Sequence, residues 1–283
     1  MWIWMVTAAL LLLLLLLRSC DERNYFSTEI YEVESDKLEP EGKTVVFLSD
    51  LHDHIFGKEQ SRLLEAIRKL QPEAILIGGD MMVVKRGVDL DATLFLVERL
   101  TKICPVYYGN GNHENRMDRD RGCYGDRYDQ LRNRLSQMGV MHLSDQSCAF
   151  GDDIVISGLN LELPYYRKFS PEVMSPLYLQ QRLGTADSGK FQILLAHSPL
   201  YFDAYAAWGA DLTLAGHFHG GTIRLPWLGG LMTPQFQFFV PYCGGIFQKG
   251  KKYLVVSRGL GTHSINIRLN NRAHLVVVNL RRG

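Results

Sequence analysis

Five short apolar runs in this chain each stop at a residue able to bind a metal ion. They end at Asp50 and His52, at Asp80, at Asn112 with His113, at His197, and at His217 with His219. Singly, each has a plain alternative: an Asp after a strand is commonly a turn or capping residue, and a lone His is commonly a hydrogen-bonded structural group. Five coincidences at the ends of strand-like runs are another matter, and together they point to a metal site. Carboxylate, amide oxygen and imidazole suit borderline or hard divalent ions such as Mn²⁺, Fe²⁺ and Zn²⁺. One carboxylate can bridge two such ions about 3.5–4 Å apart, the spacing found in two-metal phosphatases. Gly78, Gly79, Gly111 and Gly216 sit beside these residues, where a missing side chain lets the backbone turn and a substrate approach.

The elements that must position these groups follow from hydrophobic periodicity. Residues 44–48 form a buried-strand run, and 58–70 place Leu63, Leu64, Ile67 and Leu70 on one helical face. Residues 74–77 are a second strand, 91–103 a second helix and 105–108 a third strand. This alternation is the grammar of an α/β sheet with right-handed crossovers. Ligands of such sheets bind beyond the carboxyl ends of the strands, so the five blocks are expected to converge there. The second half is richer in strands, with clear runs at 153–157, 192–196, 211–215, 253–257 and 273–278. Residues 220–245 are dense in Gly, Pro and aromatics and are expected to form a long loop or hairpin near the site.

The chain has 283 residues, 46% apolar and 22% charged, which fits a globular enzyme rather than a disordered chain. A formal net charge of +1 supplies no global field, so no nucleic acid is expected as a partner. The cysteines, Cys20, Cys104, Cys123, Cys148 and Cys243, are widely spaced without a CxxC pair and read as buried or idle thiols. Residues 1–17 carry no charged side chain and include an unbroken leucine run from Leu10 to Leu17. A core helix would keep a polar face; this one has none, and its length reaches the lower edge of a bilayer span. A cleaved signal peptide competes with a retained anchor. No Lys or Arg precedes the apolar run and no Ala-x-Ala site follows it, which favours a single-pass anchor in the cell membrane. Cys20 stands where a lipoprotein cysteine would, although Arg18 and Ser19 make a poor processing site. Arg18 and Arg23 argue by the positive-inside rule for a cytoplasmic domain, against the extracytoplasmic placement we otherwise expect. The expected organisation is a transmembrane anchor or uncleaved signal at 1–20, a polar spacer at 21–42 that contributes at most one strand, and a catalytic domain at 43–283.

The ordered set Asp50-x-His52, Gly79-Asp80, Gly111-Asn112-His113-Glu114, His197 and Gly216-His217-x-His219 resembles the calcineurin-like metallophosphoesterase superfamily, from about residue 44 to the C-terminus. Residues 216–226 and 256–261 are similar to its bacterial membrane-associated, YkuE-like subgroup, itself related to UDP-2,3-diacylglucosamine pyrophosphatases. The resemblance implies a four-layer α/β/β/α sandwich and hydrolysis of a phosphoester or diphosphate by a metal-bridging water. It implies one ion held by Asp50, His52, Asp80 and His219, and a second held by Asp80, Asn112, His197 and His217. His113 resembles the family's catalytic histidine, placed to steady phosphoryl oxygens or protonate the leaving oxygen; a structural histidine orienting Asn112 is the alternative. Glu114 stands where many relatives carry Asp and is expected to anchor a neighbouring histidine. His54 is expected to face solvent. Arg224 and Arg258 are candidate phosphate clamps, since a guanidinium offers a two-pronged fork to phosphoryl oxygens. Trp227, Phe236, Phe238, Phe239 and Tyr242 read as a small core within their own loop, as an apolar wall for a lipid-like substrate, or as a membrane-facing lip.

The expected substrate is therefore a phosphorylated small molecule or a lipid-linked phosphate, the latter suggested by the anchor. A metal-binding scaffold without turnover would be marked by a missing ligand or a missing His113, and none is missing. A nuclease would be marked by a long basic stripe, which this sequence lacks.

Overall fold

The structure, a computed structural model, describes residues 1–169, 172–262 and 266–283. Helix α1 (Trp2–Asn24) leads directly into strand β1 (Phe26–Glu34). Strands and helices then alternate through β2 (Lys43–Leu48), α2 (Ser61–Leu70), β3 (Ala74–Ile77), α3 (Asp91–Leu100), β4 (Val106–Gly109), α4 (Asn112–Arg119), α5 (Arg121–Tyr124), α6 (Arg127–Gln137) and β5 (Met141–Leu143). The second half runs β6 (Gln146–Phe150), β7 (Ile154–Leu159), α7 (Pro176–Leu183), β8 (Phe191–Ala196), α8 (Phe202–Trp208) and β9 (Leu212–Ala215). A short hairpin, β10 (Arg224–Leu225) and β11 (Gly229–Gly230), precedes β12 (Gly245–Lys249), β13 (Lys252–Val256) and β14 (Ala273–Arg281).

Among the described residues these strands form two six-stranded sheets, ordered β1-β14-β2-β3-β4-β5 and β12-β13-β9-β8-β7-β6. The central strands are apolar on both faces because both faces are covered. Val46, Leu48, Ile75, Ile77 and Tyr108 pack outward with Leu63, Ile67, Leu96 and Val97 of the helices. Their alternating neighbours Val45, Phe47, Leu76 and Tyr107 point inward and meet Ile156, Ile193 and Leu214 of the second sheet. Leu194 and Ala196 turn the other way, onto Leu179 and Tyr205 of α7 and α8. The period-two alternation of side chains thus builds three apolar layers and the four-layer α/β/β/α sandwich.

Two local differences from the periodicity have physical causes. Helix α2 begins at Ser61, because Glu59 and Gln60 are left-handed, with φ of 53° and 62°. Buried Gln60 accepts from the Phe56 amide at 3.0 Å and donates to the His54 carbonyl at 2.7 Å, which holds the irregular turn. In addition, most of the stretch read as a polar spacer is regular. Residues 21–24 finish α1, and β1 pairs in parallel with β14 from Phe26↔Ala273 to Glu34↔Arg281. The acidic side chains of that stretch lie along an edge strand, where solvent access tolerates them.

Residues 1–17 are exposed along the whole of α1, while Ser19 and Glu22 are buried. The helix is 23 residues long with a mean hydropathy of 2.2 in its most apolar window, so it has the length and composition to cross a membrane.

Candidate metal centre

Both sheets deliver their carboxyl ends to one place. Asp50 and His52 follow β2, Asp80 follows β3, Asn112 opens α4 just after β4, His197 follows β8, and His217 and His219 follow β9. The turns that aim them are strained: Asp50, His52, Asp80, His217 and His219 all have φ between 47° and 68°, a region costly for residues with a Cβ. Close backbone approach does the rest. A Cβ on Gly79 would lie 1.9 Å from the Gly111 nitrogen, so only glycine lets the β3 and β4 turns touch.

The candidate ligand atoms gather round two carboxylate oxygens, Asp80 Oδ2 and Asp50 Oδ1. Asp80 Oδ1 accepts the His113 amide at 2.8 Å, which leaves Oδ2 facing inward. That Oδ2 lies 3.2 Å from His197 Nε2 and 3.8 Å from His52 Nε2. Asp50 Oδ1 lies 3.4 Å from His219 Nε2, 3.7 Å from His197 Nε2 and 4.0 Å from His52 Nε2. The Asn112 carboxamide oxygen lies 2.9 Å from His217 Nδ1 and 3.2 Å from Asp80 Oδ2, lone pairs facing lone pairs. Turning the amide over would create hydrogen bonds, yet the inward oxygen is the orientation a cation requires.

These separations fit a metal. With bonds of about 2.0–2.2 Å, neighbouring ligands around one ion sit about 2.8–3.6 Å apart, from octahedral to tetrahedral geometry. Three groupings meet closely enough to hold an ion: Asp50, His52 and His219; His52, Asp80 and His113; and Asp80, His197 and His217. The imidazoles are oriented from behind, as metal-binding histidines usually are. His197 Nδ1 is 2.8 Å from the Gly78 carbonyl and His219 Nδ1 is 3.2 Å from the Gly261 carbonyl, so each ring donates outward and turns Nε2 in. Burial opposes a charge on His197, but Asp80 and Asp50 overcome it and raise its pKa to about 10. Burial likewise opposes ionisation of Asp80, and His197 and His113 hold it well below the usual carboxylate range.

His113 is held as a proton donor. Its Nδ1 accepts the Val84 amide at 2.8 Å, so the neutral ring carries its proton on Nε2. Glu114, expected to anchor a histidine, instead holds the Asp80 turn. Its fully buried carboxylate accepts from the amides of Asp80 at 2.8 Å, Met81 at 3.1 Å and Gly111 at 3.0 Å, and from the Tyr108 hydroxyl at 2.8 Å. His54, expected to face solvent, is half-buried with its ring 4.6 Å from that of Phe56.

The ligands open into a cavity of about 300 Å³. Arg116, Lys168 and Arg268 are its cationic lining, and Leu163, Tyr166, Met232, Phe236 and Ile267 its apolar wall. Arg224 and Arg258 are not part of that lining. Arg258 is committed to Glu29 at 2.6 Å and Ser27 at 3.2 Å, and Arg224 lies against the Gly220 carbonyl at 3.5 Å. Of the cations that do line the cavity, Arg116 was within reach of sequence reasoning: it stands three residues after His113, one helical turn along α4. Arg268 had no such signal. It is buried among the carbonyls of Arg258, Gly259, Gly261 and Asn271, and burial lowers its pKa to about 10.

A two-sheet sandwich with carboxylates and imidazoles gathered at its strand ends defines a metal-dependent hydrolase. Residues 43–221 match the calcineurin-like phosphoesterase family, and the chain belongs to it. It is similar to YpbG of Bacillus subtilis, 27% identical over 91% of this chain and 88% of that one. It is also similar to the metallophosphoesterase YkuE of the same organism, 26% identical over 85% and 80% of the two chains. The phosphodiesterase YaeI of Escherichia coli is 25% identical over 83% and 81%. The chain is thus a metal-dependent phosphoesterase.

Proposed function

We propose that this phosphoesterase uses two divalent ions, drawn from Mn, Fe or Zn, to hydrolyse a phosphoester or diphosphate bond at a membrane. The observation that carries this reading is the convergence on Asp80 Oδ2, with imidazoles on both flanks and the Asn112 oxygen 3.2 Å away. One ion is assigned to Asp50, His52, Asp80 and His219, the other to Asp80, Asn112, His197 and His217, with Asp80 shared. Two ions held there would supply the Lewis acidity and water activation that phosphoester hydrolysis needs. The chain's own groups do the rest. His113 offers its Nε2 proton to a non-bridging phosphoryl oxygen or to the leaving oxygen. Arg116 and Lys168 offset substrate charge at the mouth.

The anchor reading is supported by how α1 ends. Ser19 Oγ accepts the Arg268 amide at 3.1 Å, the Glu22 carboxylate accepts the amides of Asn270 at 3.1 Å and Asn271 at 2.7 Å, and Asp21 pairs with Arg272. A helix so tied to the catalytic domain is suited to stay. A lipid-linked diphosphate is the second reading, favoured by the apolar wall of the cavity.

The full chain in detergent, stripped of metal and resupplied with each ion in turn, should cleave bis(p-nitrophenyl) phosphate. Asp80→Ala should abolish turnover, and His113→Ala should lower it about 10²–10⁴-fold while leaving metal content intact. Full activity in the Asp80 variant would sink the assigned site.

A further inference from the structure

We propose that the mouth of the metal cavity is seated in the bilayer interface, so that the site takes the phosphate head of a membrane amphiphile directly from the lipid surface; this rests on the hydrolase reading above. The depth of the cavity relative to the membrane follows from α1. Ser19 lies two residues beyond the last leucine of the apolar run, about 3 Å along a helix. Its hydroxyl bonds the backbone of Arg268, and Arg268 and Ile267 are part of the cavity wall. That wall therefore stands within a few ångströms of the hydrocarbon boundary.

The surface beside it is built for the same place. Asn270, whose amide is bonded to Glu22 of α1, donates through Nδ2 to the Arg224 carbonyl at 3.2 Å and so joins the helix end to the β10–β11 hairpin. Trp227, at the tip of that hairpin, is 101% exposed. The chain then continues past Phe236, in the cavity wall, to Phe238 and Phe239, which are 60% and 53% exposed. Phe169 stacks on Phe236 with centroids 5.6 Å apart and is itself 73% exposed. Lys168 lies 4.7 Å above the Phe236 ring, a cation set among aromatics. Exposed Trp and Phe beside a basic group, continuous with a membrane-length helix, match an interfacial surface and its anionic head groups. A loop with its own core would bury these rings.

Two experiments on the full chain in phosphatidylcholine–phosphatidylglycerol vesicles test this. In the first, Trp227 is left as the only tryptophan (Trp2→Phe, Trp4→Phe, Trp208→Phe) and is compared with a matching variant that retains only Trp208. Lipid carrying a quencher near the head group should quench Trp227 and leave Trp208 bright; equal emission from both would overturn the proposal. In the second, Phe238→Ser with Phe239→Ser should lower cleavage of vesicle-borne CDP-diacylglycerol at least about tenfold, while cleavage of soluble CDP-glycerol stays within about twofold. Parallel changes on both substrates, or none on either, would overturn it. If the wild type cleaves neither substrate nor any aryl phosphate, the hydrolase reading fails, and the quenching still decides the seating.

Discussion

Glu114→Gln is the sharpest test of how this site is built, because it changes one atom of a buried carboxylate that meets the Asp80 backbone and none of the proposed ligand atoms. Oε2 accepts from the Asp80 and Gly111 amides, and Oε1 from the Met81 amide and the Tyr108 hydroxyl. A glutamine can turn its oxygen to the first pair. Its NH₂ must then face the second, where the Tyr108 hydroxyl can rotate to accept but the Met81 N–H cannot. One buried N–H is left without a partner, at about 1–3 kcal/mol, and the remaining bonds lose charge assistance. Part of this is offset, since burial, and after it the Asp80 charge, already raise the Glu114 pKa, and a neutral amide escapes both. We expect a net loss of about 2–4 kcal/mol in unfolding free energy. Because the Asp80 turn is what the carboxylate holds, metal affinity should fall about 10–100-fold, the usual effect of losing a partner behind a ligand. Urea unfolding and metal titration of the full chain in detergent read the two quantities separately. Unchanged metal affinity in a folded variant would refute the claim that Glu114 positions Asp80.

Further expectations follow from the same geometry. Gly216→Ala would place a Cβ 2.1 Å from Ser49 Oγ and 2.2 Å from Asp50 Oδ2, so Asp50 must move; metal content measured by emission spectrometry should fall, and an unchanged content would count against the steric argument. Burial holds His142 down to about 4. The unfolded chain therefore binds the extra proton first as pH falls from about 6.5 to 4, and stability is lost over that window by up to about 3 kcal/mol. His142→Gln can still donate to the Asn110 oxygen and should flatten the acid limb of a urea-denaturation series; an identical limb would show that His142 is not its source. Glu22→Ala removes the acceptor for the buried Asn271 amide and the part-buried Asn270 amide and should cost about 1–3 kcal/mol, read as a lower urea midpoint in detergent.

What could be read from the sequence was local, and what could not was made by distant partners. A buried strand that ends in a polar residue shows itself in a few consecutive letters, so the blocks at Asp50, Asp80, Asn112, His197 and His217 could each be found locally, although only their coincidence pointed to a metal. Convergence followed from the rule that α/β sites lie beyond the strand ends. Position 114 was visible as an acid beside His113, but two of its four donors, the amides of Asp80 and Met81, come from the turn after β3, more than thirty residues away, and nothing near Glu114 in the chain announces them. Residues 21–42 looked like a linker because half of their story is written 247 residues later, in β14. Arg224 and Arg258 looked like phosphate clamps because they sit in motif-rich segments. Only the fold reveals that Glu29 on β1 already occupies Arg258.

The strain in the ligand turns and the burial of their lone pairs bear on how this site can exist at all. Five ligand residues adopt left-handed backbone, each at about 1–3 kcal/mol, in a pocket where Asp50 and Asp80 are almost wholly buried. Such turns persist only where their surroundings over-determine them, and here the surroundings can be named. The His217 amide bonds both oxygens of Asp50, the His113 amide bonds Asp80, and Glu114 gathers the amides of Asp80, Met81 and Gly111. All but the Gly111–Glu114 bond join one strand-end turn to another, so these turns are not set by their own sequence alone. The candidate ligands are therefore braced by bonds between distant segments, and oxygens and imidazoles held in this way would need little further ordering to take a cation. The same cross-bracing runs outward to α1, through Arg268 to Gly261 and Ser19, so the turn beneath His219 and the end of α1 share one hydrogen-bonded frame.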